Sequence, residues 1–416
     1  MASFFSGLRR NQLLLSAPVV AKENDALKFG ILGAATIAPM AILNPAKSNP
    51  AVVIHAVAAR DKKRAEAFAK KHGIPNVKDD YAALLDDPVI DAVYIPLPNG
   101  LHFEWTLKAL AKGKHVLLEK PSTSNAEEAE ILFRSPLLSQ PNAPVLMEAF
   151  HSRFSPAFDL FRTLVDPPNI SHAVAKATVP SFIAKDDDIR FNYDLAGGSA
   201  MDLGTYTMMS LREAFKAEPV ECLEADLKRM PEPYEKCDGM FQAKLRFPNG
   251  GTGEIIGGLR GSNLSFSFST VTVTHKPVVV TDHGEKVDEG CEVKRTRTVL
   301  FTNFMLSPHY HRIDIVDDFV VTKKGDSDVV VKKFTKKESK KAYTWKEMGR
   351  DLPGEPWQST YGYMLEQFVN KIKGREGSGI FVSTGDSIAQ MKALDLVYEK
   401  SGLGLRPTSA YRPNLS

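Results

Sequence analysis

The chain has 416 residues, long enough for two domains with separate cores, and its 53 Lys and Arg nearly balance 50 Asp and Glu, for a net charge of +3. That balance gives no electrostatic basis for binding nucleic acid or an anionic membrane surface. No apolar run approaches the roughly 20 residues of a membrane span. The three cysteines, Cys222, Cys237 and Cys291, fit no zinc pattern and cannot all pair, which points to a reducing compartment such as the cytoplasm.

Residues 1–25 open with MASFFSGLRRNQLLLSAPVVAK, which carries Arg9, Arg10 and Lys22 and no acid before Glu23. Two readings fit this stretch. One is an Arg-rich, acid-poor mitochondrial targeting segment; the other is an arm whose Phe4, Phe5 and Leu8 pack on the domain or on a partner subunit. From Lys28 the pattern becomes regular. KFGILG is a short apolar strand ending in glycine, and TIAPMAIL starts a helix. VVIHAVAA (52–59) is a second buried strand, and DKKRAEAFAKKH a helix with Ala65, Phe68 and Ala69 on one face. YAALLDD, VIDAVYIPL (89–97) and HFEWTLKALAKG follow as helix, strand and helix, the last closed by Gly113. HVLLEK, NAEEAEILF with Asn125 as its cap, and PVLMEAF complete the series. Strands alternating with helices of this length predict βαβ units and a parallel sheet. Residues 26–150 therefore read as a doubly wound, Rossmann-like domain.

The turn after the first strand is the place for a dinucleotide fingerprint, and it reads GILGAATIA. Only Gly33 of the three glycines is present; Ala35 and Ala38 occupy the other two places, where a small side chain still allows close approach to a pyrophosphate and helix packing. A helix beginning near Thr36 would offer its free N–H groups to phosphate, which makes Gly33, Ala35, Thr36 and Ile37 candidate cofactor residues. No acid ends the second strand to hold a ribose 2′-hydroxyl; Arg60 stands there instead, beside Lys62, Lys63 and Arg64. Asp61 lies within this cluster, yet an arginine fork suits a 2′-phosphate, so NADP is favoured over NAD.

The second half has a different pattern. ISHAVAKATVP, VECLEADLKRM, CDGMFQAKLRFPNGGTGEIIGGLRG, LSFSFSTVTVTH and YHRIDIVDDFVVT alternate like strands, with PNGG (248–251) as a hairpin turn. Residues 151–416 thus predict an α+β domain with a large, mostly antiparallel open sheet. Helices are expected around 200–216, 359–373 and 384–401, the last introduced by Ser383 and closed by Gly402. VVVKKFTKKESKK (329–341) reads as a hairpin with a basic tip. His309 and His311 share a strand face, but with no third ligand in the pattern no metal site is assigned.

Two stretches carry chemistry. In HVLLEKPSTSN (115–125) a buried strand ends on Glu119, Lys120 and Pro121, at the carboxyl edge where such sheets bind ligands. In LAGGSAMDLGTY (195–206) a glycine break precedes Asp202 and Tyr206, four apart on one helix face. A lysine facing a phenol would lower the phenol's pKa and suit it to proton transfer.

Taken in order, GILGAATIA, HVLLEKPSTSN, VLMEAFHSRFSP and LAGGSAMDLGTY resemble the Gfo/Idh/MocA family of NAD(P)-dependent oxidoreductases. The likeness is strongest to the branch holding dimeric dihydrodiol dehydrogenase and NADP-dependent D-xylose 1-dehydrogenase. It implies hydride transfer between the nicotinamide and a sugar, polyol or dihydrodiol hydroxyl carbon, with Lys120, Tyr206 and Asp202 as catalytic residues. It further implies that Leu97, Pro98, Asn99, His102 and Glu119 border the cofactor with Lys120, and that His151, Arg153 and Arg190 line the substrate cleft. A homodimer through the second-domain sheet is also implied, its apolar patch drawn from GEIIGGL (253–259) with Ile255 a candidate outward residue. Two rival classes share the fold: a non-catalytic NADP-binding regulator, and a glycosidase with transient hydride transfer.

Overall fold

The computed structural model describes residues 2–264 and 267–412. Six strands form the first sheet: β1 (Leu27–Leu32), β2 (Val52–Ala58), β3 (Asn76–Val77), β4 (Ala92–Ile95), β5 (His115–Leu118) and β6 (Leu146–Glu148). All pair in parallel, in the order β3-β2-β1-β4-β5-β6. The order reverses between β1 and β4, which creates a crevice at the carboxyl ends of these strands. Around the sheet run α1 (Ala2–Leu15), α2 (Asn44–Ser48), α3 (Lys62–His72), α4 (Tyr81–Leu85), α5 (His102–Ala111) and α6 (Ala126–Phe133). Short polar side chains start them: Asp61 accepts the Arg64 N–H at α3, and Asn125 accepts the Glu128 N–H at α6. The helix expected from Thr36 begins later. Residues 36–37 turn, and Pro39–Leu43 forms a wide π-helical run into α2. Pro45 has no N–H for the Ala41 carbonyl, and the Asn44 N–H reaches back to Pro39 instead.

The second sheet has nine strands: β7 (Ile170–Pro180), β8 (Glu221–Arg229), β9 (Asp238–Arg246), β10 (Thr252–Gly261), β11 (Thr270–His275), β12 (Val278–Val279), β13 (Cys291–Thr302), β14 (Arg312–Lys323) and β15 (Asp326–Lys340). They lie in the order β15-β14-β13-β11-β7-β10-β9-β8, with β12 on β13. Every pair is antiparallel except β7 with β10. On one face pack α7 (Pro156–Leu164), whose Phe158 and Phe161 meet Phe301, and α8 (Thr205–Phe215) against β7. The remaining helices are α9 (Thr360–Ile372) and α10 (Thr384–Ser401). Both return to the first sheet's side: Phe368 packs edge-on to Phe29, and Asp395 accepts the Ala126 N–H at 2.8 Å.

Three expectations are corrected here. Residues 329–341 form no basic hairpin tip; 329–340 belong to β15, and the turn sits at Lys324–Gly325. β13 was not among the expected strands, because two of its helix-side positions hold Arg295 and Arg297 rather than apolar residues. Arg297 clasps Asp317 of β14 through two 2.8 Å bonds, so a charge pair stands where alternation would show a hydrophobe. Third, GEIIGGL leaves no apolar patch. Ile255 is fully buried under the helices with Gly253 and Gly257, and the bare face receives Glu254 and Ile256. Their cross-strand neighbours are Val174, Lys176, Gln242 and Lys244, so that face is largely polar. The expected LSFSFS strand start falls partly on residues 265–266, which lie outside the described residues; β11 begins at Thr270.

His309 and His311 precede β14 rather than sharing a strand. His309 Nδ1 meets Asn11 Oδ1 at 2.9 Å, and His311 sits between the Ser307 carbonyl and the Ala342 N–H. The N-terminal helix is docked at the same place. Arg10 donates to the carbonyls of Pro308 (2.9 Å) and His309 (3.1 Å) and lies 3.8 Å over the Tyr343 ring. Leu8 is exposed; the Phe4 and Phe5 side chains lie outside the described residues. No helix among the described residues is long and apolar enough to cross a membrane.

Candidate active site

Strands β4, β5 and β6 end together. The Glu119 N–H bonds the Ile95 carbonyl at 3.2 Å and the Ala149 N–H the Leu118 carbonyl at 2.7 Å. This sets the segments carrying Leu97, Lys120 and His151 side by side at the carboxyl edge. Glu119 turns inward, where the Tyr94 hydroxyl donates to it at 2.6 Å and burial raises its pKa. Lys120 reaches across to the second domain: its Nζ donates to Asp202 Oδ1 at 2.7 Å and to the Asp202 carbonyl at 3.0 Å, and lies 4.8 Å from the centre of the Tyr206 ring.

The segment that presents Asp202 and Tyr206 is fixed from below. Gly197 passes so close to the Arg190 and Asn192 carbonyls that a Cβ would overlap them. Arg406, buried between the Tyr193 and Tyr398 rings, donates to the Gly197 carbonyl at 3.0 Å. The fully buried Asp238 then accepts the Ala200 N–H at 2.7 Å and the Tyr398 hydroxyl at 2.9 Å. A carboxylate at this helix start suits its unpaired N–H groups. Asp202 itself also bonds Arg190 Nε at 3.1 Å. Burial opposes its charge, but Lys120 and Arg190 overcome that and hold the carboxyl below its ordinary pKa.

Tyr206 behaves differently from the expectation. Burial, reinforced by Tyr361, Glu119 and Asp202, lifts its pKa well above the ordinary phenol value. The Lys120 ammonium beside it is itself matched at 2.7 Å by Asp202. The phenol is therefore held protonated. His151 Nε2 lies 2.9 Å from the Tyr206 hydroxyl and Nδ1 2.7 Å from Thr360 Oγ1, while its ring stacks on Tyr361 at 3.8 Å. Burial keeps His151 neutral by pushing its pKa down to about 3. A neutral imidazole has one donor and one acceptor nitrogen, so Thr360 and Tyr206 must answer it in opposite senses.

Other expected site residues separate. Arg190 borders Asp202 with a half-exposed side chain. Arg153 does not face the cleft: the short turn 151–154 sends it to the far side, between Glu213 and Asp386, carboxylates shared with Arg162 and Arg212. His102 is fully buried, with ring nitrogens 2.8 Å from the carbonyls of Leu97 and Pro121; burial pushes its pKa down to about 4, so the neutral ring donates to only one of the two. Asn99 donates to the Ala196 carbonyl of the second domain at 3.1 Å. Pro98 is half-buried and Leu97 buried; Gly33, at φ 111°, passes Leu97 so closely that a Cβ would lie 3.2 Å from its methyl. Only glycine fits that backbone, and the cradle it leaves suits a dinucleotide. Ala35 and Ile37 are half-buried beside it, Thr36 is exposed, and Ala38 is fully buried as a packing residue. At the end of β2, Asp61 is engaged as the α3 cap and Lys62 pairs with Asp79 at 2.5 Å. Arg60 is exposed and its guanidinium forms no ion pair among the described residues, so these residues fit a 2′-phosphorylated dinucleotide.

Residues 27–135 match the Gfo/Idh/MocA profile, described as an oxidoreductase family with an NAD-binding Rossmann fold. The chain is 32% identical over 279 residues to the oxidoreductase ORF334 of Rhizobium meliloti, covering 63% of this chain and 81% of that protein. The chain belongs to the Gfo/Idh/MocA oxidoreductase family. A second relative, D-xylose 1-dehydrogenase (NADP(+)) 2 of Haloferax volcanii, is 42% identical over 188 residues, 45% of this chain. The chain spans 56%, little more than half, of that relative's length. The fold is shared with the 3-ketoreductase KijD10 of Actinomadura kijaniata, solved with NADP and TDP-benzene: TM-score 0.65 and 22% identity, over 93% of this chain and 100% of that one.

Sequence reasoning missed Tyr361, Asp238 and Glu148, which carry no local signal; only folding brings them to the site. Glu148 accepts the Ser122 N–H just past Pro121 at 2.8 Å, and burial pushes its pKa from 4.5 up to about 8. Between those values the fold holds a proton that the unfolded chain releases, so stability falls as pH rises through this window. Glu148→Gln removes that titration. From pH 5 to 8 the wild type should lose about 4 kcal/mol more than the variant in urea unfolding; parallel pH profiles would mean that Glu148 is ionised in the fold.

Proposed function

We propose that this chain is an NADP-dependent oxidoreductase that interconverts a sugar, polyol or dihydrodiol hydroxyl with its carbonyl, for example an aldose with its lactone. The observation that carries the reading is the Lys120–Asp202–Tyr206 cluster at the end of β5. The nicotinamide, when bound, supplies or accepts the hydride. The chain's own residues do the rest. Gly33 and Leu97 leave room for the dinucleotide, and Arg60 supplies the fork for a 2′-phosphate. Lys120 donates a hydrogen bond to the substrate oxygen, and Asp202 orients its ammonium. Tyr206, kept protonated by burial and hydrogen-bonded to His151, gives the proton to that oxygen in reduction and takes it back in oxidation. Retention of both Lys120 and Tyr206 favours this over a non-catalytic regulator.

A panel of aldoses, polyols and trans-dihydrodiols, followed by nicotinamide absorbance with NADP and with NAD, tests the reading. Turnover is expected with NADP; NADP binding without turnover across the panel would favour the regulator. Arg60→Ala should weaken NADP by one to two decades and leave NAD unchanged, since a charge-assisted bond contributes about 1.5–3 kcal/mol. Equal affinity of the wild type for the two cofactors would refute the role of Arg60.

We also propose a homodimer paired through the bare face of the second sheet, where alternate positions of β7, β10 and β11 stay exposed or half-buried. The wild type should sediment as a dimer at micromolar concentration and Ile256→Lys as a monomer. A monomeric wild type would remove the proposal.

A further inference from the structure

His151 is enclosed between two hydroxyls, with 2% of its surface exposed. Its Nδ1 lies 2.7 Å from Thr360 Oγ1 and its Nε2 2.9 Å from the Tyr206 hydroxyl. Stacking on Tyr361 at 3.8 Å and an edge contact with the Tyr206 ring at 5.4 Å fix the plane of the imidazole. Burial and the Lys120 charge keep it neutral, so a single proton sits on one nitrogen or the other. Which nitrogen holds it decides what Tyr206 can do. A bare Nε2 would take the Tyr206 hydrogen and leave none for a substrate. A protonated Nε2 would donate to the Tyr206 oxygen and leave that hydrogen free.

Thr360 settles the choice. Its side chain is buried, and its hydroxyl has no other hydrogen-bond partner among the described residues. If Nδ1 carried the proton, the Thr360 hydrogen would be enclosed without an acceptor, which folded proteins rarely tolerate. With Nδ1 bare, the hydroxyl donates to it and both donors are satisfied. Helix α9 acts in the same sense. Thr360 is its first residue, just after the Ser359 cap that accepts the Gly362 N–H at 3.0 Å. The positive end of a helix favours a lone pair over an N–H beside it.

We propose that Thr360 locks His151 as the Nε2–H tautomer, which makes His151 a positioning residue that aims the Tyr206 proton at the substrate oxygen. This role rests on the oxidoreductase reading and deepens it. In reduction, as the carbonyl carbon receives hydride, the Tyr206 O–H bond breaks and its proton passes to the carbonyl oxygen. The phenolate left behind keeps the hydrogen bond from Nε2–H, and a proton from water later restores the phenol. In oxidation the phenolate takes the hydroxyl proton as hydride leaves the carbon. His151 keeps its own proton throughout.

¹⁵N NMR of the full chain labelled at histidine reads the tautomer without any turnover, with His151→Gln identifying the signals. In the wild type, Nε2 should appear as a protonated, pyrrole-type nitrogen and Nδ1 as a bare, pyridine-type one. Thr360→Val keeps the volume and should move the Nδ1 signal to that of a nitrogen without a hydrogen bond. A bare Nε2 in the wild type would overturn the assignment. In kinetics, His151→Leu should lower kcat at least about tenfold, with KM and NADP affinity held within about threefold. His151→Gln restores an N–H donor and should return kcat to within about threefold of wild type. Wild-type kcat in the leucine variant, or glutamine no better than leucine while both bind NADP normally, also overturns the role. An Nε2–H tautomer that responds to Thr360→Val, in a chain that turns over no substrate of the panel, supports the lock and sinks the oxidoreductase reading instead.

Discussion

Lys120→Met and Tyr206→Phe should each lower kcat by about two to four decades, the range typical of a lost acid–base group, with NADP affinity changed only a few-fold. The reason is placement. Lys120 Nζ is the cation between the strand edge and Asp202, and a methionine there keeps the volume but donates nothing to a substrate oxygen. Tyr206→Phe removes the hydroxyl that lies 2.9 Å from His151 while leaving the ring and its packing on Phe150. Neither change touches Gly33 or Arg60, so cofactor titration should report an intact dinucleotide site. Loss in kcat with little change in cofactor Kd separates a chemical role from a structural one. Near-normal turnover by either variant on the best substrate would remove that residue from the mechanism.

Gly198→Ala should destabilise the fold by about 2–6 kcal/mol. Gly198 sits at φ 143°, a conformation that costs a non-glycine residue roughly 1–3 kcal/mol. The added Cβ would also overlap the Asp238 carboxylate and lie 2.6 Å from the Tyr398 hydroxyl. Forcing those two apart strains a packed core, a further 1–3 kcal/mol or so, and weakens the bond that fixes the Ala200 N–H. Urea denaturation checks the stability. Turnover should fall alongside it, because the same segment presents Asp202 and Tyr206 to Lys120. A variant within 1 kcal/mol of wild type, with normal activity, would show that the segment shifts without consequence.

Several parts of this architecture were legible before folding was considered. Five of the six parallel strands show as short apolar runs, because strands covered on both faces need apolar residues on both; β3, only Asn76–Val77 and half-buried, does not. Helix starts at Asp61, Asn125 and Ser383 show because capping acts within three residues. Lys120 at the end of β5 and the Asp202–Tyr206 spacing were visible for the same reason: strand edges and helix turns are local geometry. β13 was not visible, since Arg297 on its inner face is neutralised by Asp317, twenty residues away.

What the tertiary structure alone decided is which side each residue faces and what charge surrounds it. Alternation requires that one of Ile255 and Ile256 be buried, but only the packed helices choose Ile255. The turn at 151–154 offers His151 and Arg153 alike to a cleft; Glu213 and Asp386, 60 and 233 residues beyond Arg153, draw the arginine away. The pKa of Tyr206 rises rather than falls because burial and the Asp202 countercharge act through space. Periodicity and turn chemistry act within a few residues and so are written in order along the chain, whereas desolvation and ion pairing depend on distances that exist only once the two sheets have met.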